Sequence, residues 1–158
     1  MTTTAVRTAR TVLQRDGEVM RERIEIVPRI GDNPPRPQDA TRVGAMRRIA
    51  AAKLRYYGLD ALIDEVMLIV SELLTNAVLH SGTQEIALLL RIEDGVLHIV
   101  VTDGMEGSAM SRPANDNAES GRGLALVEAL AKENGGEWGT SDVGATTWCC
   151  LALPKEHS

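Results

Sequence analysis

The stretch Ile69-Val-Ser-Glu-Leu-Leu-Thr-Asn-Ala-Val-Leu-His80 decides the fold, because it sets Glu72, Asn76 and His80 at intervals of four. That interval is close to one helical turn, so a carboxylate, an amide and an imidazole stack along one side of a helix. At about 100° per residue, Val66, Val70, Leu73, Leu74 and Ala77 cover one broad apolar arc, and Leu68 and Leu79 fall nearly opposite. The helix is therefore expected to meet apolar material on two sides, with only the strip of Glu65, Glu72, Asn76 and His80 consistently polar. On an outer helix such a strip is ordinarily a solvated face. Next to buried surface, ionised groups are seldom left without a partner. A carboxylate one turn from an amide oxygen also suits the holding of a hydrated magnesium ion and an attacking nucleophile. Spacing leaves both readings open.

Outward from this helix the chain alternates strand-like and helix-like segments. Residues 1–20 read as a flexible arm, and Arg23-Ile-Glu-Ile-Val27 alternates as a strand does. Gly31-Asp-Asn-Pro-Pro-Arg-Pro37 forbids regular structure. From Gln38 to Tyr57, Val43, Met46, Ala50, Leu54 and Tyr57 recur at helical spacing, with Gly58 as a stop and Asp60 as the cap of the following helix, which ends at Ser81-Gly82. Glu85 to Ile92 and Val96 to Thr102 are strand-like, and Asp94-Gly95 between them signals a hairpin. Residues 104–120 form a long polar loop, of a length that is usually functional. A helix from Leu124 to Ala131 is opened by Gly121-Arg-Gly123, and strands at Glu137 to Ser141 and Thr146 to Leu153 close the chain before a tail at 155–158. One α/β domain over residues 21–154 results: a two-layer sandwich with a mixed, mostly antiparallel sheet covered on one face by helices.

Composition narrows the function classes. Aromatic residues are 3% of the 158 and phenylalanine is absent, so the core must rest on Leu, Ile, Val, Ala and Met. A formal net charge of −5 argues against direct nucleic-acid binding, and the early arginines Arg7, Arg10, Arg15, Arg21 and Arg23 are interleaved with Asp16, Glu18 and Glu22. No apolar run reaches the ~20 residues a membrane helix needs, and Met1 to Arg7 lacks the apolar centre of a secretory signal. A cytoplasmic protein is expected. Cys149 and Cys150 are adjacent in a strand and point to opposite faces, so packing rather than a disulfide or metal is their expected role.

Several other residues could carry chemistry. Asp103 ends a strand, where its carboxylate could accept a hydrogen bond from an exocyclic amine or simply open the turn with Gly104. Gly107 permits close backbone approach. Gly121 and Gly123 beside a helix start can present backbone N–H groups to an anion, with Arg122 adding charge. The sequence has neither a P-loop nor a strand-led dinucleotide fingerprint. Thr146 opens the final strand, as a base or water contact or as an ordinary strand residue. Trp148 is expected in the core or an interface, and His80 as a helix-end residue. His98 on a strand and His157 in the tail suggest no histidine-based triad.

In order, Glu72-x-x-x-Asn76-Ala-x-x-His80, Asp103-Gly104, a long loop, Gly121-Arg-Gly-Leu124 and Gly144-x-Thr146-x-Trp148 resemble the GHKL superfamily. This is the Bergerat ATP-binding fold shared by DNA gyrase, heat-shock chaperones, sensor histidine kinases and mismatch-repair ATPases. Within it the chain is most similar to the bacterial anti-sigma factor serine kinases and their stand-alone ATPase-like relatives. The resemblance implies ATP and Mg2+ as cofactors, Glu72 as general base and Asn76 as a magnesium ligand. It further implies Asp103 on the adenine amine, Thr146 supporting the base, Gly121, Arg122, Gly123 and Leu124 at the phosphates, and residues 105–120 with Gly107 as a lid. Its partners would be a sigma factor and a STAS-type anti-sigma factor antagonist phosphorylated on serine, with a homodimer among the implied assemblies, formed through the Gln38 to Tyr57 helix or the first strand.

One segment departs from the pattern: Asp103-Gly-Met-Glu-Gly107 carries Met105 where one version of the family has glycine. That departure motivates the alternative of a non-catalytic module that sequesters a protein. The catalytic piece of a sensor histidine kinase fits less well, since the first 40 residues hold neither a phosphoacceptor histidine nor a long dimerising helix pair.

Overall fold

A computed structural model describes residues 16–26, 37–80, 85–103, 117–141 and 146–154, without the side chains of residues 79–80 and 117–123. The chain runs β1 (Gly17–Glu25), α1 (Pro37–Tyr56), a 3-10 turn (Asp60–Leu62), α2 (Ile63–His80), β2 (Glu85–Glu93), β3 (Val96–Thr102), α3 (Asn117–Glu133), β4 (Glu137–Ser141) and β5 (Thr146–Ala152). The strands form one sheet in the order β1-β2-β3-β5-β4, every neighbouring pair antiparallel.

Strict alternation builds the sheet. Ile86, Leu88, Leu90 and Ile92 of β2 and Leu97, Ile99 and Val101 of β3 are buried under the helices with Cys149 and Leu151. Their neighbours Leu89, Val100 and Trp148 lie in one row on the other face and are only half-buried. The core is aliphatic as expected, with Cys149 added. Each of its fully buried Leu and Ile side chains contributes about 1.5–3 kcal/mol. Trp148 is not in the core; its indole lies over Gly139, where an added Cβ would meet Cζ2 at 2.7 Å.

Helix α2 is central, packing against α1 on one flank and α3 on the other. One expectation about it is corrected. Leu68 meets no second apolar layer among the described residues and is 48% exposed. Leu79 lies outside the described side chains.

Several boundaries differ from those the sequence suggests. β1 begins at Gly17 and not Arg23, so residues 17–20 belong to the sheet and not to an arm; residues 1–15 lie outside the described residues. Its register with β2 shifts between Glu18 and Met20, which lets Val19 and Met20 both be buried. Asp60 is the first residue of a 3-10 turn rather than a helix cap, and Leu59 caps that turn without a side-chain bond. Pro37 is the first residue of α1, where its missing N–H costs nothing.

Gly58 ends α1 as expected, with Leu59 N–H donating to Leu54 C=O at 2.8 Å. The same device ends α3: Gly136 N–H donates to Ala131 C=O at 2.7 Å, and Gly135 takes φ +71° as the left-handed residue of the motif. The β2–β3 turn has φ 52° at Asp94 and 75° at Gly95, the backbone that an Asp-Gly hairpin demands. Lys132 Nζ lies 2.9 Å from Glu128 Oε1, and this contact, aided by Trp138, holds the half-exposed Glu128 carboxyl below its ordinary range. The segments 31–36, 81–84 and 142–145, expected as turns and loops, lie outside the described residues.

Candidate functional site

The connections decide where the sequence-distant candidates meet. Four residues, 81–84, link α2 to β2. They span at most about 18 Å, less than the ~27 Å length of an eighteen-residue helix. The C-terminal end of α2 therefore lies at the start of β2. Ala87 there pairs with Thr102 at the end of β3, and Thr102 pairs with Thr146 at the start of β5. At the opposite end, Asn134 just after α3 accepts a hydrogen bond from Ala152 N–H at 2.9 Å, so α3 runs back and begins beside β5's first residue. One end of the sandwich thus collects Asn76 and His80, Asp103, Thr146, and the α3 residues Gly121 to Leu124.

The polar strip of α2 points along this end toward α3. Met67 faces α1, where it lines a groove with Gly44, Arg47, Arg48 and Ala51. Asn76 lies about 180° around the helix from Met67, on the flank that α3 packs against. Glu72 and Asn76 are both half-buried. Asn76 Oδ1 is buried and has no hydrogen-bond partner among the described residues, as is Glu65 Oε2 on the same strip. Leaving a buried acceptor unmade costs about 1–3 kcal/mol, so a polar atom in that position is a fit for a ligand or cation that completes it.

Asp103 is 4% and Thr146 9% exposed, buried for polar side chains at a sheet end. Thr102 Oγ1 and Thr146 Oγ1 approach to 3.5 Å on the Val100 and Trp148 face of the sheet, at the strand ends where Asp103 follows Thr102 in the chain. A buried carboxylate such as that of Asp103 can accept a hydrogen bond from a flat polar group that carries an N–H donor.

The glycines sit differently from the expectation. α3 begins at Asn117, four residues before Gly121, so Gly121-Arg122-Gly123 lies within the helix and not at its mouth. The free N–H groups of the first turn belong to residues 117–120. Leu124 packs partly buried against the core. The side chains of Arg122 and His80, the burial of Gly121 and Gly123 and the whole of Gly107 lie outside what is described, as do residues 105–116 of the expected lid.

A family model for the histidine kinase-like ATPase domain matches residues 36–150. The chain belongs to that family. The match begins just before α1 and runs through the candidate positions to Cys150, leaving β1 outside it. No curated protein matches the chain.

Membership in the histidine kinase-like ATPase domain family makes ATP the ligand class to test against the site. The residues fit. Asn76 offers an amide oxygen, unused among the described residues, of the hard type magnesium takes. Among the described residues, no three His, Cys, Asp or Glu side chains cluster to hold a metal. A magnesium ion bound through Asn76 would complete its shell with phosphate and water oxygens, its usual habit.

Asp39 carries no warning in the sequence. It is fully buried in the first turn of α1, although an acid three residues into a helix reads only as a dipole partner. No spacing signal marks it. Among the described residues no helix is long and apolar enough to cross a membrane.

Proposed function

We propose that this histidine kinase-like ATPase domain is a regulatory protein serine kinase of the anti-sigma factor type. It transfers the γ-phosphate of Mg-ATP to a serine of a STAS-type antagonist, and binds a sigma factor in its other state. The single observation that carries the proposal is the buried Asn76 Oδ1, without a hydrogen-bond partner among the described residues and one helical turn from Glu72. A base one turn from a metal ligand can position both the nucleophile and the metal-bound phosphate that in-line phosphoryl transfer brings together.

In this reading Asp103 and Thr146 seat the adenine, and Gly121, Arg122, Gly123 and Leu124 border the phosphates. Bound magnesium supplies charge neutralisation on the triphosphate. Glu72 takes the proton of the attacking serine hydroxyl. The serine oxygen bonds the γ-phosphorus as the bridging P–O bond breaks, and ADP leaves with that bond's electron pair. Residues 105–120, with Gly107, exclude water, so that a protein hydroxyl and not water is the acceptor.

The test has two arms. Thermal unfolding with ATP, ADP and magnesium reads binding; γ-labelled transfer to a purified STAS-type antagonist reads activity. Glu72→Gln is expected to keep the magnesium-dependent stabilisation and lose at least ~10²-fold in transfer. Undiminished transfer by that variant rejects Glu72 as base. A second reading rests on Met105 in Asp103-Gly-Met-Glu-Gly107: a module that binds ATP and sequesters a protein without turnover. Tight partner binding with no transfer by the unaltered chain selects it.

A further inference from the structure

We propose that the free flank of α1 is a docking surface for an acidic amphipathic helix of a partner protein. The buried residues of α1 are Asp39, Met46, Ala50 and Leu54, which turn toward the core. Gly44, Arg47 and Ala51 turn toward α2, where with Arg48 and Met67 they line a groove of about 200 Å³. That leaves Ala45, Ile49, Ala52 and Tyr56, which fall within about 60° of one another on the side away from α2. Ile49 is 37% and Tyr56 64% exposed. Their spacing of four, three and four is the spacing of a helix–helix seam.

Cations border this seam on both sides: Arg42 and Lys53 along one, Arg48 and Arg55 along the other, all exposed. Arg42 donates to the Glu25 carbonyl at the edge of the sheet, which ties the border to β1. Among the described residues none of these four forms an ion pair. With Arg47 and Asp39, α1 carries five cations against one acid, in a chain whose formal net charge is −5. Positive charge concentrated on one helix around an apolar seam, against the sign of the whole chain, is a recognition pattern rather than a solubility one.

Charge also chooses the occupant. A second copy laid on the same seam would set these cationic borders against each other. A partner helix with an apolar seam and Glu or Asp at its borders meets each of them with an opposite charge, as flanking positions do in paired helices. An anionic membrane would satisfy the charge, but only Ile49 and Tyr56 offer large apolar groups, fewer than an interfacial helix buries. The proposal does not rest on the kinase reading, because docking is measured without nucleotide.

The experiment uses the full chain and two synthetic helical peptides of about 20 residues. Both carry a leucine seam at the same spacing; one is bordered by Glu and the other by Lys. Fluorescence anisotropy is expected to show binding of the acidic peptide that weakens as salt rises, and no binding of the basic one. Tyr56→Ala is expected to weaken it at least tenfold. The double variant Arg48→Glu with Arg55→Glu, which leaves Arg42 and Lys53 in place, is expected to lose the preference for the acidic over the basic peptide, a loss of discrimination that a purely structural role for these side chains would not produce. Circular dichroism confirms that the variants are folded. Failure of the acidic peptide to bind, or binding indifferent to these substitutions, overturns the proposal. So does stronger binding to phosphatidylglycerol vesicles than to the peptide, or a dimer in sedimentation that Tyr56→Ala abolishes.

Discussion

Replacing Asn76 by leucine should make the ligand-free protein more stable while removing its response to magnesium. The amide oxygen is buried without a partner among the described residues, though the residue as a whole is half-buried. An unmet buried acceptor costs about 1–3 kcal/mol, and partial burial places this one near the low end, at roughly 1–1.5 kcal/mol. Leucine has nearly the shape of asparagine and no acceptor, so Asn76→Leu recovers that energy. For a domain of this size each kcal/mol is worth about 2–4 °C in Tm, giving an expected rise of about 2–6 °C in EDTA. The unaltered protein at a hundredfold excess of Mg-ATP over Kd should gain about 2.7 kcal/mol, or about 5–11 °C. The variant should show only the shift that ATP gives without metal. Scanning calorimetry of both proteins in EDTA, ATP and Mg-ATP reads all of these quantities. An Asn76→Leu protein that melts below the parent in EDTA, or that keeps the parent's magnesium-dependent shift, refutes the argument.

Gly136→Ala should cost about 3 kcal/mol or more in urea unfolding, since a Cβ there falls on the Cys150 carbonyl oxygen, which is backbone and cannot swing aside. Gly139→Ala should cost less, about 1 kcal/mol, because the neighbour in its way is the half-buried Trp148 ring. Equal losses at the two glycines would contradict this. Burial, with a smaller push from Cys150, drives the Cys149 thiol up to about 12. The native state then keeps a proton that the unfolded state releases above ~8.5, so this contribution is whole below that pH. Stability falls by up to about 1.4 kcal/mol per pH unit between ~9 and ~12. Urea midpoints at pH 8 and 10 check it, with Cys149→Ala expected to flatten the decline. Under the proposed nucleotide site, Asp103→Asn should weaken ATP at least tenfold in calorimetry; unchanged affinity would remove Asp103 from the adenine pocket.

Local periodicity carries much of the fold. The alternation in Glu85 to Glu93 and Val96 to Thr102, joined by Asp94-Gly95, predicts a hairpin, and the hairpin is there. The recurrence of Met46, Ala50 and Leu54 predicts a helix, and these side chains are its buried face. The pattern misleads where it is mixed. β1 alternates imperfectly because a register shift buries Val19 beside Met20, so its first residues read as an arm. Gly121 and Gly123 read as a helix start because glycine disfavours helix interiors, yet α3 runs through them from Asn117.

Spacing alone determines that Glu72, Asn76 and His80 share one side of a helix, since 3.6 residues per turn is a property of the backbone. It cannot say what lies opposite that side. By hydrophobicity Leu68 and Leu73 are equal candidates for burial, but one faces solvent and the other the core. Only the packing of α2 between α1 and α3, and the pairing of Ala87, Thr102 and Thr146 across three strands, brings Asn76, Asp103 and Thr146 to one end. Local geometry says which residues keep company along an element; what covers them is set by segments far away in the chain.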